Sequence, residues 1–64
     1  MNEAEYLQVI EELDRVISDT RDTMARYEAA GMDAQMPEDY DKLHEIYAKA
    51  VKEQRACTLF MLNL

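Results

Sequence analysis

The sequence predicts an all-α chain folded as an antiparallel two-helix hairpin that self-associates into a four-helix bundle, and three observations predict it. Tyr40, Leu43, Tyr47, Ala50, Gln54, Cys57, Met61 and Leu64 recur at alternating intervals of three and four, the spacing of a packed helical seam. A stretch of matching length, Tyr6, Ile10, Leu13, Ile17, Thr20, Met24 and Tyr27, has the same rhythm. The only glycine, Gly31, and the only proline, Pro37, fall between the two stretches, where a helix should stop and another begin.

The first helix is expected over about residues 3–30. Asn2 suits its N-cap, and Glu3 and Glu5 in the first turn complement the helix dipole. Glu11 with Arg15 and Asp22 with Arg26 place the acid four residues before the base, the favourable order on an exposed face. Val9 and Val16 broaden the apolar stripe on one flank and Leu7 on the other, so this face is wider than a two-helix seam requires.

Residues 31–36 read as the connection, with Gly31 taking a left-handed C′ position. The second helix is expected over about residues 37–63: Pro37 suits the first helical position, and Glu38, Asp39 and Asp41 put negative charge at its N-terminus. So short a connection makes the helices antiparallel neighbours within a single domain of residues 1–64. Folding about residues 33 and 34 pairs Tyr27 with Tyr40, Met24 with Leu43, Thr20 with Tyr47, Ile17 with Ala50, Leu13 with Gln54, Ile10 with Cys57 and Tyr6 with Met61.

A chain of 64 residues has a thin margin of stability, since it buries only about 60 % of the surface its unfolded form exposes. One cysteine and one histidine exclude an intramolecular disulfide and a Cys/His zinc site, which leaves regular packing and oligomerisation to stabilise the fold. The net charge of −7 repels phosphate backbones and anionic membranes and favours basic or amphipathic partners. The N-terminus has neither a basic region nor an apolar run of signal-peptide type, no stretch approaches a membrane span, and a lone cysteine fits a reducing compartment. The expectation is therefore a cytoplasmic chain with no membrane partner.

Catalytic equipment is sparse. Asp41 and His44 share one helix face, a faint echo of the Glu-x-x-His pairs of di-metal bundles, but the seam of the first helix carries no carboxylate to complete such a site. Cys57 lies on the seam opposite Ile10, thirteen residues and roughly 20 Å from His44, and reads as a small, buried apolar side chain. A single glycine rules out a phosphate-binding loop. No enzyme activity, cofactor or metal is predicted.

Binding surface is more plentiful. The segment Leu59, Phe60, Met61, Leu62 and Leu64 is apolar on nearly every side and, with Val9 and Val16, forms the expected interface to a second protomer or a foreign protein. Gln54, the one strongly polar residue on its seam, reads as a device that fixes register, a ligand contact being the alternative. Tyr27, Tyr40 and Tyr47 cluster toward the connection, as core-edge residues or as a pocket for a planar, nucleotide-like ligand. Lys42, Lys49, Lys52 and Arg55 offer a basic face on the second helix that could take RNA or DNA. Met32 and Met36 flank the connection, either as adaptable contact surface or as a cap folded over the bundle end.

In length and hairpin layout the chain resembles the plasmid-encoded RNA-binding helical hairpins that dimerise into four-helix bundles and regulate copy number, and in size and acidity the small inhibitors encoded by phages. Both resemblances are architectural, and no residue role follows from either. The leading functional expectation is a non-enzymatic regulator that associates with itself and acts by stoichiometric binding to another protein. A nucleic-acid-binding dimer and a small-ligand-binding bundle are the alternatives.

Overall fold

The computed structural model describes all 64 residues and is helical almost throughout: α1 spans Glu3–Ala29, α2 is a single turn over Met32–Gln35, and α3 spans Pro37–Leu62. Helix α1 begins with a full capping box. The Asn2 side chain accepts the Glu5 backbone N–H at 2.9 Å, and the Glu5 carboxylate accepts the Asn2 N–H at 3.3 Å. Two otherwise unpaired donors are satisfied in this way. The helix ends where Gly31 adopts φ 72°, a left-handed conformation that places a turn at little steric cost.

The connection is more ordered than a plain link. Its backbone closes a turn of helix in which the Gly31 carbonyl accepts from Ala34 and Gln35, both at 3.3 Å. Pro37 prevents this turn from running into α3. Its ring disfavours helical backbone at the preceding residue, and Met36 accordingly sits at φ −128° and ψ 62°. The two long helices are thereby separated by a defined corner, with Met32 half-buried and Met36 exposed beside it.

Helices α1 and α3 pack along their length as an antiparallel pair, giving a rod of 46 × 14 × 12 Å. The anticipated register is visible at several levels. The Tyr27 and Tyr40 rings lie 6.4 Å apart, Arg21 reaches Tyr47, and Gln54 reaches the Ile10 turn of α1. The interior is very small: Ile17, Met24, Ala50 and Thr20 are the only buried residues. The Cα radius of gyration is 14.4 Å, whereas a compact domain of this length has about 11 Å. The exposed surface of 4910 Å² likewise exceeds the roughly 4,200 Å² of a compact monomer of this mass. No helix is long and apolar enough to cross a membrane.

A Cβ added at Gly31 would meet nothing within 4 Å, so only backbone strain opposes substitution there. Gly31→Ala is expected to lower unfolding stability by about 1 kcal/mol, and Gly31→Asn by less, because asparagine tolerates the left-handed region. Urea denaturation at one fixed protein concentration measures the difference. Equal stability of all three chains would show that the turn does not depend on this conformation.

Candidate functional site

The rod carries one apolar groove, on the side where α1 turns its broad flank outward. Val9, Leu13 and Val16 of α1 and Ala56 and Cys57 of α3 form its walls and floor, with Glu12 on one rim and Glu53 on the other. Its volume is about 440 Å³. The groove exists because α3 presents small side chains where α1 presents β-branched ones, leaving the space between them unfilled. Val16 remains 41 % exposed, and Cys57 is half-buried at the floor. The structure thus corrects the reading of Cys57 as a buried seam residue: its side chain borders the open groove, where Ala56 is too small to cover it.

The last turns of α3 and the residues after it expose apolar side chains on both flanks of the helix. Leu59, Phe60, Leu62 and Leu64 are 56 %, 61 %, 72 % and 71 % exposed, while Met61 turns partly inward toward the seam. Leu59 also borders a shallower depression with Val51, Gln54, Arg55 and Thr58. Of the interface residues anticipated from the sequence, Val9 and Val16 line the groove, Phe60 lies seven residues beyond Glu53 on the strip that borders it, and Leu59 and Leu62 lie around the far side of α3.

Gln54 is engaged within the chain itself. Its amide donates to the Ile10 carbonyl at 3.1 Å and also to the Asp14 carboxylate. A seam amide in contact with two consecutive turns of α1 ties α3 to one axial position, because a slide of one turn would leave it without either partner.

The tyrosines separate into two groups. Tyr27 stacks on Tyr40, His44 meets the Tyr40 ring edge-on at 4.7 Å, and the Tyr40 hydroxyl donates to the Glu28 carboxylate. That bond stabilises the neutral phenol and, with partial desolvation and the negative charge of Glu28, pushes the Tyr40 pKa up to about 12. Tyr47 stands apart, accepting a hydrogen bond from the Arg21 guanidinium at 3.3 Å. None of the three rings lines a depression in the surface.

Lys42, Lys49, Lys52 and Arg55 are all exposed, but helical spacing separates them: Lys42 and Lys49 share one strip, while Lys52 and Arg55 alternate with acids. Lys52 shares a strip of α3 with Glu38 and Glu45, and Arg55 shares one with Asp41. Asp41 and His44 acquire no further ligand, and no group of three or more His, Cys, Asp or Glu side chains is placed to hold a metal ion. The cross-helix contacts of Arg21 and Glu28 escaped the sequence reading. Both flank seam positions, and the same antiparallel register that pairs Thr20 with Tyr47 brings Arg21 beside that ring.

The Tyr40 bond has a pH signature. Because the folded pKa lies above the unfolded value of 10.0, the contribution of this bond is fully present below pH 10 and is lost as pH rises through about 12. The Tyr40 ring resonances should therefore titrate near pH 12, and Glu28→Ala should move that midpoint toward 10. An unchanged midpoint would show that Glu28 is not the cause. No protein-family model, no curated protein and no solved structure matches this chain.

Proposed function

We propose that the protein is a non-enzymatic interaction module: two copies join into a four-helix bundle, and the assembly acts by stoichiometric binding of a protein partner, as a regulator or inhibitor would. The observation that carries this reading is the imbalance between interior and exterior. Three apolar residues are buried, whereas nine large hydrophobic side chains remain exposed. Covering a leucine or phenylalanine that stands this exposed contributes roughly 1–2 kcal/mol. Several such residues in one contact give a driving force that the isolated rod leaves unused.

The chemistry of the surface supports the same reading. His44 packs against Tyr40, and Cys57 sits in an apolar groove with Glu12 and Glu53 on its rims; the histidine and the thiol lie on different parts of the rod. The surplus of acidic side chains would steer a basic or amphipathic partner toward the rod. The alternation of Lys52 and Arg55 with carboxylates leaves Lys42 and Lys49 as an isolated basic pair, too small a patch to favour a nucleic-acid face.

Two measurements test the two halves of the reading. Sedimentation equilibrium of the full chain should give a dimer at micromolar concentration; a monomer throughout would remove self-association. Affinity capture from the source cell should retain one protein at a fixed molar ratio, and Leu59→Asp/Leu62→Asp should reduce its retention more than tenfold while the dimer persists. Retention unaffected by these changes would place partner binding elsewhere on the rod, and the absence of any retained protein would sink the partner half.

A further inference from the structure

Helical spacing extends the groove into a complete face. Glu53 and Ala56 line it, so residues seven or fourteen positions away occupy the same strips of α3: Ile46 and Phe60 with Glu53, and Lys42 and Lys49 with Ala56. On α1, Val9 and Val16 form one strip, and Glu5 lies on the strip of Glu12. Charge on this face is divided along the rod. Glu5, Glu12 and Glu53 lie in the half that holds the two termini, whereas Lys42 and Lys49 lie in the half near the connection. Asp19 and Arg26, farther along the Glu12 strip, offset each other.

If the chain pairs with itself as proposed above, a second copy can meet this face about a two-fold axis in two ways. With the rods parallel, each α1 lies over the partner's α3, and like halves meet: Glu12 comes near the partner's Glu53, and the lysines gather at the other end. With the rods antiparallel, each helix lies over its own counterpart: about an axis level with Val16 and Val51, Lys49 comes beside the partner's Glu53 and Glu5 beside the partner's Arg26, against one like pair, Glu12 with the partner's Asp19, so opposite charges outnumber like ones. Like charges held close in a desolvated contact oppose association, and opposite charges favour it.

We propose that a second copy docks antiparallel on this face, with the two-fold axis level with Val16 and Val51. Shape agrees with charge at that register. Ile46, 48 % exposed, falls over the partner's Ala56, beside the half-buried thiol of the partner's Cys57, so a projecting side chain fills the groove. Lys49 falls beside the partner's Glu53, Phe60 lies along the stem of the partner's Lys42, and Val16 meets its own counterpart. The outward Leu59 and Leu62 stay uncovered and available to a foreign protein.

The sign of one substitution separates the two orientations. By sedimentation equilibrium of the full chain, with helicity checked by circular dichroism, Lys49→Glu and Glu53→Lys should each weaken the dimer about tenfold, two symmetric pairs being affected. The double variant should return to within about threefold of wild type. Tightening by Glu53→Lys, as parallel docking beside Glu12 requires, or no change in either single variant, would overturn the orientation but leave self-association standing. A wild-type chain that stays monomeric would overturn both. Independently of charge, Val16→Cys in a Cys57→Ser background should form an interchain disulfide on mild oxidation, since antiparallel docking brings the two Cα atoms within the roughly 7 Å such a bond spans. Failure to cross-link would refute the antiparallel contact.

Discussion

The structure depends on the close approach of two long helices at the level of Ile17 and Ala50. Ala50 is the most buried residue in the chain, at 4 % exposure, and Ile17 is at 8 %. A small side chain on α3 lets the helix axes come together, and a larger one on α1 fills the space left between them. The buried Thr20 and Met24 continue the seam toward the connection. Away from this middle section the seam residues are only partly covered, because a pair of helices closes over one strip of each and no more.

That geometry explains why polar groups contribute so much to the register. In a larger protein, burial on several sides would hold a helix at one axial position. Here Gln54 spans the Ile10 carbonyl and the Asp14 carboxylate, Arg21 reaches Tyr47, and Tyr40 reaches Glu28. Each bond joins α1 to α3, and they are spread from the middle of the rod to its connected end. Two helices with interchangeable apolar layers can slide by a turn at modest cost, but such a slide would break all of these bonds together.

Much of this was legible in the residues. The three-four alternation located both helices and the facing layers because seam positions must be apolar wherever two helices touch. Asn2, Gly31 and Pro37 marked the ends because each has a local backbone reason to be there. The single turn α2 was not legible, since four residues are too few to show a period and Met32, Asp33, Ala34 and Gln35 form no pattern. Gln54 stood out on the seam, but its main partner is a backbone carbonyl, which side-chain spacing does not reveal. The groove was missed for a related reason. Facing pairs along the seam do not show it, because the gap arises where Ala56, just off the seam, lies beside the β-branched flank of Val9 and Val16.

The same residues that leave the groove open also determine what could fill it. A larger residue at position 56 would close the space from within the chain and would increase the burial of Cys57, yet the exposed Ile46 and Phe60 on the adjoining strip would still face water. Projection and recess on one face are complementary only when a second such face is turned end for end, because Ile46 lies toward the connection and Ala56 toward the termini. Charge follows the same division, with Lys42 and Lys49 in the half of the projection and Glu53 in the half of the recess. Shape and electrostatics, which come from different residues, therefore support the antiparallel docking proposed above.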